Sequence, residues 1–242
     1  MRMVLLPGMD GSGKLFAPFL AELPAGLDVR VMTYPSSLSA IDDLAGYVLS
    51  QLGDSELLIA ESFSGPIALE VCRRRPDRVA GLVLCATFTS CPNPLAVAIG
   101  EVVPGRILKF FGALTPIANW LCFGGLASIE LQRNFAQALA SLGSGTLKAR
   151  LRVLRRLNVE FEPLSIPTLV VHPARDRLVS DSASVRLRNG HASAVVIVDG
   201  PHFLMQTRPK QCWDAIRAFQ HQVIKARAGV RDEWDKIYSN RN

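Results

Sequence analysis

The stretch Leu57-Leu58-Ile59-Ala60-Glu61-Ser62-Phe63-Ser64-Gly65-Pro66 decides the fold. Leu57–Ala60 is a continuous apolar run of strand length, and Pro66 sits where a first-turn proline opens a helix. The segment therefore reads as a strand that turns directly into a helix, with Ser62 at the junction. A nucleophile at such a junction stands on a strained turn that thrusts its hydroxyl out of the sheet. The residues two before and two after it must then be small to avoid collision. Ala60 and Ser64 meet that demand, although glycine is the stricter choice at both positions. A serine there also suits a helix N-cap, so the assignment depends on what surrounds it.

Outward from this stretch, the helix after Pro66 ends at Arg73-Arg74-Arg75, cations at its negative end, before Pro76 stops it. Upstream, Ile41, Leu44, Ala45, Val48, Leu49 and Leu52 draw one apolar stripe on a helix that Ser39 is expected to cap. Strands are expected at Met3–Leu6, Val29–Tyr34, Leu57–Ala60, Val79–Cys85, Thr168–His172 and Ala194–Val198, continuous apolar runs of the kind buried on both faces. Their alternation with helices predicts an α/β fold, a mostly parallel sheet with helices on both faces. A last helix is expected over Pro209–Ala228, with Trp213, Ile216, Phe219 and Val223 facing inward and residues 229–242 a charged tail. The rhythm breaks once. From Thr89 to Pro163 no strand is expected, and a Pro-, Gly- and aromatic-rich portion leads into helical segments at Ile129–Leu142 and Thr146–Leu157. This predicts one domain over residues 1–228, with residues 89–163 inserted as a helical cap.

A chain of 242 residues, 49% apolar and 20% charged, buries one sizeable core, which excludes disorder, collagen and coiled coil. The net charge of +6 comes without blocks of five or six like charges and with only 7% aromatic residues, so no nucleic-acid partner is expected. The uncharged stretch Phe110–Ile129 approaches the roughly twenty residues that span a bilayer. Thr115, Pro116, Asn119, Gly112, Gly124 and Gly125 favour a flap over a transmembrane segment. The cysteines show no C-x-x-C spacing, and the apolar run before Pro7 is too short for a secretory signal. Reduced thiols and a cytoplasmic location are expected.

A serine hydroxyl becomes a competent nucleophile when a base, usually a histidine oriented by a carboxylate, takes its proton. Of the four histidines, His202 in Asp199-Gly200-Pro201-His202-Phe203 follows the last strand on a rigid Gly-Pro turn, and it is preferred over His172, His191 and His221. Asp176 follows the strand before it, in Pro173-Ala174-Arg175-Asp176, with Asp181 as the alternative acid. The glycine-rich loop Pro7-Gly8-Met9-Asp10-Gly11-Ser12-Gly13 after the first strand can aim backbone N–H groups at an oxyanion, and the amides of Met9 and Phe63 are the expected donors. In the cap, Phe110, Phe111, Trp120 and Phe123 are expected to line an acyl pocket above Ser62. Leu147, Leu151, Leu154 and Leu157 form one face of the following helix. Lys148, Arg152, Arg155 and Arg156 lie largely on others, as a solvated surface or as a docking face for an anionic carrier or lipid. No cofactor pattern is present, and the histidines lack paired-ligand spacing for a metal.

With these pieces in place, the chain resembles the serine hydrolases of the α/β-hydrolase superfamily, and among them the small capped esterases of the pimeloyl-carrier methyl-ester type. The resemblance rests on Leu5-Leu6-Pro7-Gly8-Met9, Ala60-Glu61-Ser62-Phe63-Ser64-Gly65, the turn ending at Asp176, and Gly200-Pro201-His202. It implies the nucleophile, acid, base order Ser62, Asp176, His202, and hydrolysis of a small-molecule carboxylic ester or thioester. Pro7 departs from the histidine many members carry, Ala60 and Ser64 replace elbow glycines, and the chain opens at what would be the family's third strand. Two other readings stand beside it. Gly8–Lys14 fits the G-x-x-x-x-G-K of a P-loop nucleotide-binding protein, with Val195–Asp199 as its acidic strand, but Leu15 cannot supply the magnesium-binding hydroxyl. The third is a binding protein that kept the fold and lost the reaction.

Overall fold

Successive strand residues point to opposite faces of a sheet, so a strand that is apolar throughout must be covered on both sides. The computed structural model describes residues 1–105, 107, 116–159, 164–191 and 194–239, and its central strands follow this rule. The strands are β1 (Met3–Leu6), β2 (Val29–Val31), β3 (Glu56–Glu61), β4 (Val79–Cys85), β5 (Thr168–Pro173) and β6 (Ala194–Val198). They form one sheet in the order β2-β1-β3-β4-β5-β6, with every neighbouring pair parallel. Val4, Leu6, Leu58, Ala60, Leu82 and Leu84 face one apolar layer, built with the helices Ile41–Gln51 and Ser64–Arg74. Met3, Leu5, Leu57, Ile59, Val83 and Cys85 face the other, where Phe16, Phe19, Trp213, Ile216 and Phe219 pack. The register sets Leu6 beside Ala60, Ala60 beside Leu84, and Leu84 beside Val170. The carboxyl ends of four strands thus open at one level, where parallel sheets place their ligands.

Four expectations need correction. The edge strands are not buried on both faces: β2 is half-buried and stops at Val31, and Val195 and Ile197 of β6 stand 40% and 66% exposed. An edge strand has a neighbour on one side only, and apolarity of sequence does not reveal which strand that will be. Ala40 rather than Ser39 occupies the N-cap of the helix Ile41–Gln51. The last helix runs over Pro209–Ser239, through Gly229, because one glycine weakens a helix by only about 1 kcal/mol and no proline follows.

Between β4 and β5 the described residues form the helices Pro94–Val102, Pro116–Phe123, Ile129–Ser141 and Ser144–Arg156, and no sheet strand. Asn93 and Ser128 cap two of them by accepting from the N–H groups of Ala96 and Leu131. The insertion closes on itself at its neck. Ser90 and Asn158 form an antiparallel bridge, flanked by hydrogen bonds from Cys91 N–H to Leu157 C=O (3.0 Å) and from Val159 N–H to Thr89 C=O (2.8 Å). Among the described residues no helix is long and apolar enough to cross a membrane.

Candidate active site

β3 passes into the helix Ser64–Arg74 through Ser62, whose φ of 51° lies in the left-handed region that a side chain adopts only at a steric cost. Three hydrogen bonds hold it there. Ser62 N–H donates to Cys85 C=O (2.9 Å), and Ser62 C=O accepts from Gly65 N–H (3.0 Å) and from Thr87 Oγ1 (2.5 Å). Ala60 and Ser64 have no exposed surface. The serine at the second elbow position has a use that glycine lacks: its hydroxyl donates to Pro7 C=O and pairs with the Tyr34 hydroxyl, tying the turn to the loop after β1.

The structure brings Ser62, His202 and Asp176 into one hydrogen-bonded chain, although they come from three different strand ends. His202 Nε2 lies 2.8 Å from Ser62 Oγ, and Nδ1 lies 2.8 Å from Asp176 Oδ2. An ionised Asp176 accepts a hydrogen bond from Nδ1–H and so keeps the ring proton on Nδ1, which leaves Nε2 as acceptor for the serine O–H. Asp176 Oδ1 is held by the backbone N–H groups of Leu178 (2.8 Å) and Val179 (2.9 Å). Burial works to raise the Asp176 carboxyl, but the His202 charge and bond, with these two amides, outweigh it and hold the group below its ordinary range. Burial likewise works to lower His202, yet Asp176 and then Glu61 prevail and raise it, so the imidazole is a stronger base than in water. Asp181, the alternative acid, instead pairs with Arg188, whose Nη1 also donates to His172 Nε2 (2.7 Å). His221 is exposed on the last helix, and the side chain of His191 is outside the described atoms.

Met9 and Phe63 line the same cavity as Ser62 and His202. Among the described residues neither of their backbone N–H groups donates to a protein acceptor. The cavity measures about 160 Å³, and its walls are apolar: Phe88, Val97, Leu151, Leu154 and Val179 surround it, with Asn93 at one side.

Two of the aromatic residues expected to form this wall, Phe123 and Trp120, are elsewhere. Phe123 is buried against Phe135 and Phe203, with ring centroids 5.3 and 4.8 Å away, and so supports the loop behind His202. Trp120 is 54% exposed beneath the Arg177 guanidinium, 4.1 Å from its ring centroid. Phe110 and Phe111 lie outside the described residues. Among the described residues the cap's share of the wall comes from Leu151 and Leu154 of Ser144–Arg156 and from Val97 of Pro94–Val102. The basic face is smaller than expected as well. Lys148 donates to the carbonyls of Gly100, Glu101 and Val103 at the end of Pro94–Val102, and Arg155 pairs with Glu101 (2.7 Å). Helix-end carbonyls without intrahelical partners attract such cations.

At the site, two buried ionisable side chains escape sequence reasoning, Arg150 and Glu61. Glu61 precedes Ser62, is 3% exposed, and accepts from Gln206 Nε2 (2.9 Å). Burial pushes its carboxyl up to about 7, against the Gln206 bond and the His202 charge, which favour ionisation. A carboxyl that titrates near 4.5 when unfolded and near 7 when folded keeps its proton longer in the native state. Native stability therefore falls as pH rises between those values, by roughly 3 kcal/mol at about 1.4 kcal/mol per unit. Glu61→Gln is expected to remove this slope. In urea unfolding, the variant should be about as stable as the parent at pH 4.5 and measurably more stable at pH 7.5. Parallel stability curves would disprove the upward shift of the buried Glu61 carboxyl.

A parallel sheet with its nucleophile-type serine on a strained strand-to-helix turn, facing a histidine and an aspartate from later strand ends, defines a hydrolase-type α/β architecture. The chain belongs to the alpha/beta hydrolase family, whose model matches residues 3–215. Membership places it among hydrolases. A protein of Rhizobium rhizogenes that bears the name carbamate hydrolase RutD is 23% identical over 94% of each chain. The enol-lactonase of Burkholderia xenovorans LB400 superposes with a TM-score of 0.76 at 15% identity over 91% of both chains. The thermophilic esterase of Thermogutta terrifontis superposes with a TM-score of 0.70 at 21% identity, over 92% of this chain and 90% of that one. At these identities the two structural likenesses speak for the fold.

Proposed function

We propose that the chain hydrolyses a carboxylic ester with a short apolar acyl part through a Ser-His-Asp acyl-enzyme mechanism. The observation that carries this reading is the hydrogen-bonded chain Ser62–His202–Asp176 opening into an apolar cavity. Ser62 Oγ attacks the ester carbonyl as its proton passes to His202 Nε2. The oxyanion is received by the amides of Met9 and Phe63, and His202 returns the proton to the departing alcohol. Water, deprotonated by the same imidazole, then attacks the acyl carbon, and His202 passes that proton to Ser62 Oγ as the bond to the acid breaks. Asp176 holds the ring and stabilises its positive charge. A thioester follows the same steps, and no cofactor enters them. A fluorophosphonate probe tests the nucleophile: it should modify Ser62 alone, and labelling of another residue, or none, overturns the reading.

The wall chemistry favours acyl chains, and the volume favours short ones. Burying a methylene contributes about 0.8 kcal/mol, close to fourfold in rate if it is realised in the transition state. The cavity falls below the 300–1,000 Å³ of typical ligand sites. On a series of p-nitrophenyl esters, kcat/KM is expected to rise about fourfold per methylene from acetyl and to fall again before octanoyl. A flat profile would remove the acyl cavity from the mechanism. The names of the relatives recommend a carbamate and an enol-lactone for the same series, since both present a carbonyl to the serine. A carrier-linked substrate has less support, because Lys148 and Arg155 already have partners within the cap.

A further inference from the structure

Arg150 stands on the inward face of the cap helix Ser144–Arg156, next to Leu147, Leu151 and Leu154, and has no exposed surface. Its Nη1 donates to Met9 C=O (2.6 Å) and its Nη2 to Leu38 C=O (3.3 Å). The guanidinium carbon lies 5.7 Å from the ring centroid of Phe63 and 5.8 Å from that of Tyr34. Gly11 makes room for it, since a Cβ there would stand 2.7 Å from Nη1. Nε has no partner, and among the described residues no carboxylate forms an ion pair with the group. Asp10, whose charge it feels, is engaged by Ser12 N–H (2.9 Å).

A buried cation without a counter-ion is destabilising, and its removal in favour of an apolar side chain is often neutral or stabilising. Its contacts suggest what it does here. Arg150 bonds the carbonyl of Met9 and stacks over the side chain of Phe63, the two residues whose amides are the proposed oxyanion donors. We infer that Arg150 is a positioning residue of the oxyanion site, through which the cap fixes the Met9 loop and holds a positive charge behind both donors. The inference rests on the acyl-enzyme reading above. In the resting site this charge has no ion-pair partner among the described residues, and the tetrahedral intermediate brings a negative charge toward it. A fixed charge in a water-poor site then favours the transition state over the ground state. The cap thereby contributes to the chemistry as well as to the cavity.

The test uses Arg150→Met, Arg150→Lys and Arg150→Ala, with wild type as reference and folding checked by thermal melting. Arg150→Met should lower kcat about 100-fold with KM within about threefold, the size of effect that follows loss or misplacement of an oxyanion donor. Arg150→Lys keeps the charge but loses the planar fork, so it should fall between the two. Affinity for a boronate, which mimics the tetrahedral adduct, should drop in parallel with kcat, while affinity for the product acid should not. Millimolar guanidinium should restore part of the turnover of Arg150→Ala, a rescue that a packing defect does not predict. If folded Arg150→Met keeps its kcat, the inference is wrong. If KM rises while kcat holds, it is also wrong, and Arg150 then binds substrate. Fluorophosphonate labelling of wild-type Ser62 separates the two failures: without it the acyl-enzyme reading falls, and with it only the role of Arg150 does.

Discussion

Ser62→Ala is expected to lower kcat/KM for its best ester by at least about 10⁴-fold while the thermal midpoint moves little. The side chain removed is a single hydroxyl, bonded to His202 Nε2 at the wall of a cavity, and alanine keeps the backbone that Cys85, Gly65 and Thr87 hold. His202→Ala should be about as severe. The double variant should be hardly worse than either, because nucleophile and base act as one unit. Asp176→Asn gives the sharper test. Asp176 Oδ1 already accepts from two backbone N–H groups, so an asparagine must keep its oxygen there and turn its NH₂ toward His202 Nδ1. That arrangement forces the proton onto Nε2, where the base should be empty, and a loss of about 10³–10⁴-fold is expected. Steady-state kinetics on the folded variants decides it. If Asp176→Asn retains more than a tenth of the activity, the acid has been misassigned.

The sheet core was legible because burial on both faces leaves its mark in the order of residues. Leu57–Ala60 and Val79–Cys85 are apolar without interruption, and both became inner strands. The placement of Ser62, Asp176 and His202 after successive strands was legible for the same reason: in a parallel sheet all carboxyl ends open on one side. What the sequence does not carry is depth and neighbourhood. Phe123 and Trp120 are aromatic residues in an uncharged stretch, yet one is buried behind His202 and the other lies open under Arg177. Apolarity states that a side chain needs a partner and leaves open which one. Arg150 and Glu61 show the converse, since a charged residue is by default a surface residue. A signal for Arg150 was present: it follows Leu147 by one helical turn and precedes Leu154 by another, inside the stripe that faces inward. Glu61 had a weaker one, as the last residue of an apolar strand.

Gly65→Ala is expected to be the most damaging single-methyl change near the site. A Cβ at this position would stand 1.8 Å from Thr87 Oγ1 and 2.7 Å from both Thr87 Cβ and Cγ2, overlaps that no rotamer adjustment of a methyl can relieve. Either the helix Ser64–Arg74 retreats from the end of β4, or Thr87 swings away and Ser62 C=O loses its hydroxyl donor. Both responses move the turn that aims Ser62. Overpacking in a close-packed core costs typically 1–3 kcal/mol and more when backbone must shift, so a loss of about 3–5 kcal/mol is expected. A displacement of about 1 Å at Ser62 should lower kcat by roughly 100-fold in whatever fraction remains folded. Urea unfolding and active-site titration with the fluorophosphonate report the two effects separately. Thr87→Gly, which removes all three contacting atoms, should restore part of the stability when combined with Gly65→Ala, although it is destabilising alone. Additive losses in the double variant would show that the strain lies elsewhere, whereas recovery would identify the Gly65–Thr87 contact as the close approach that sets the Ser62 turn.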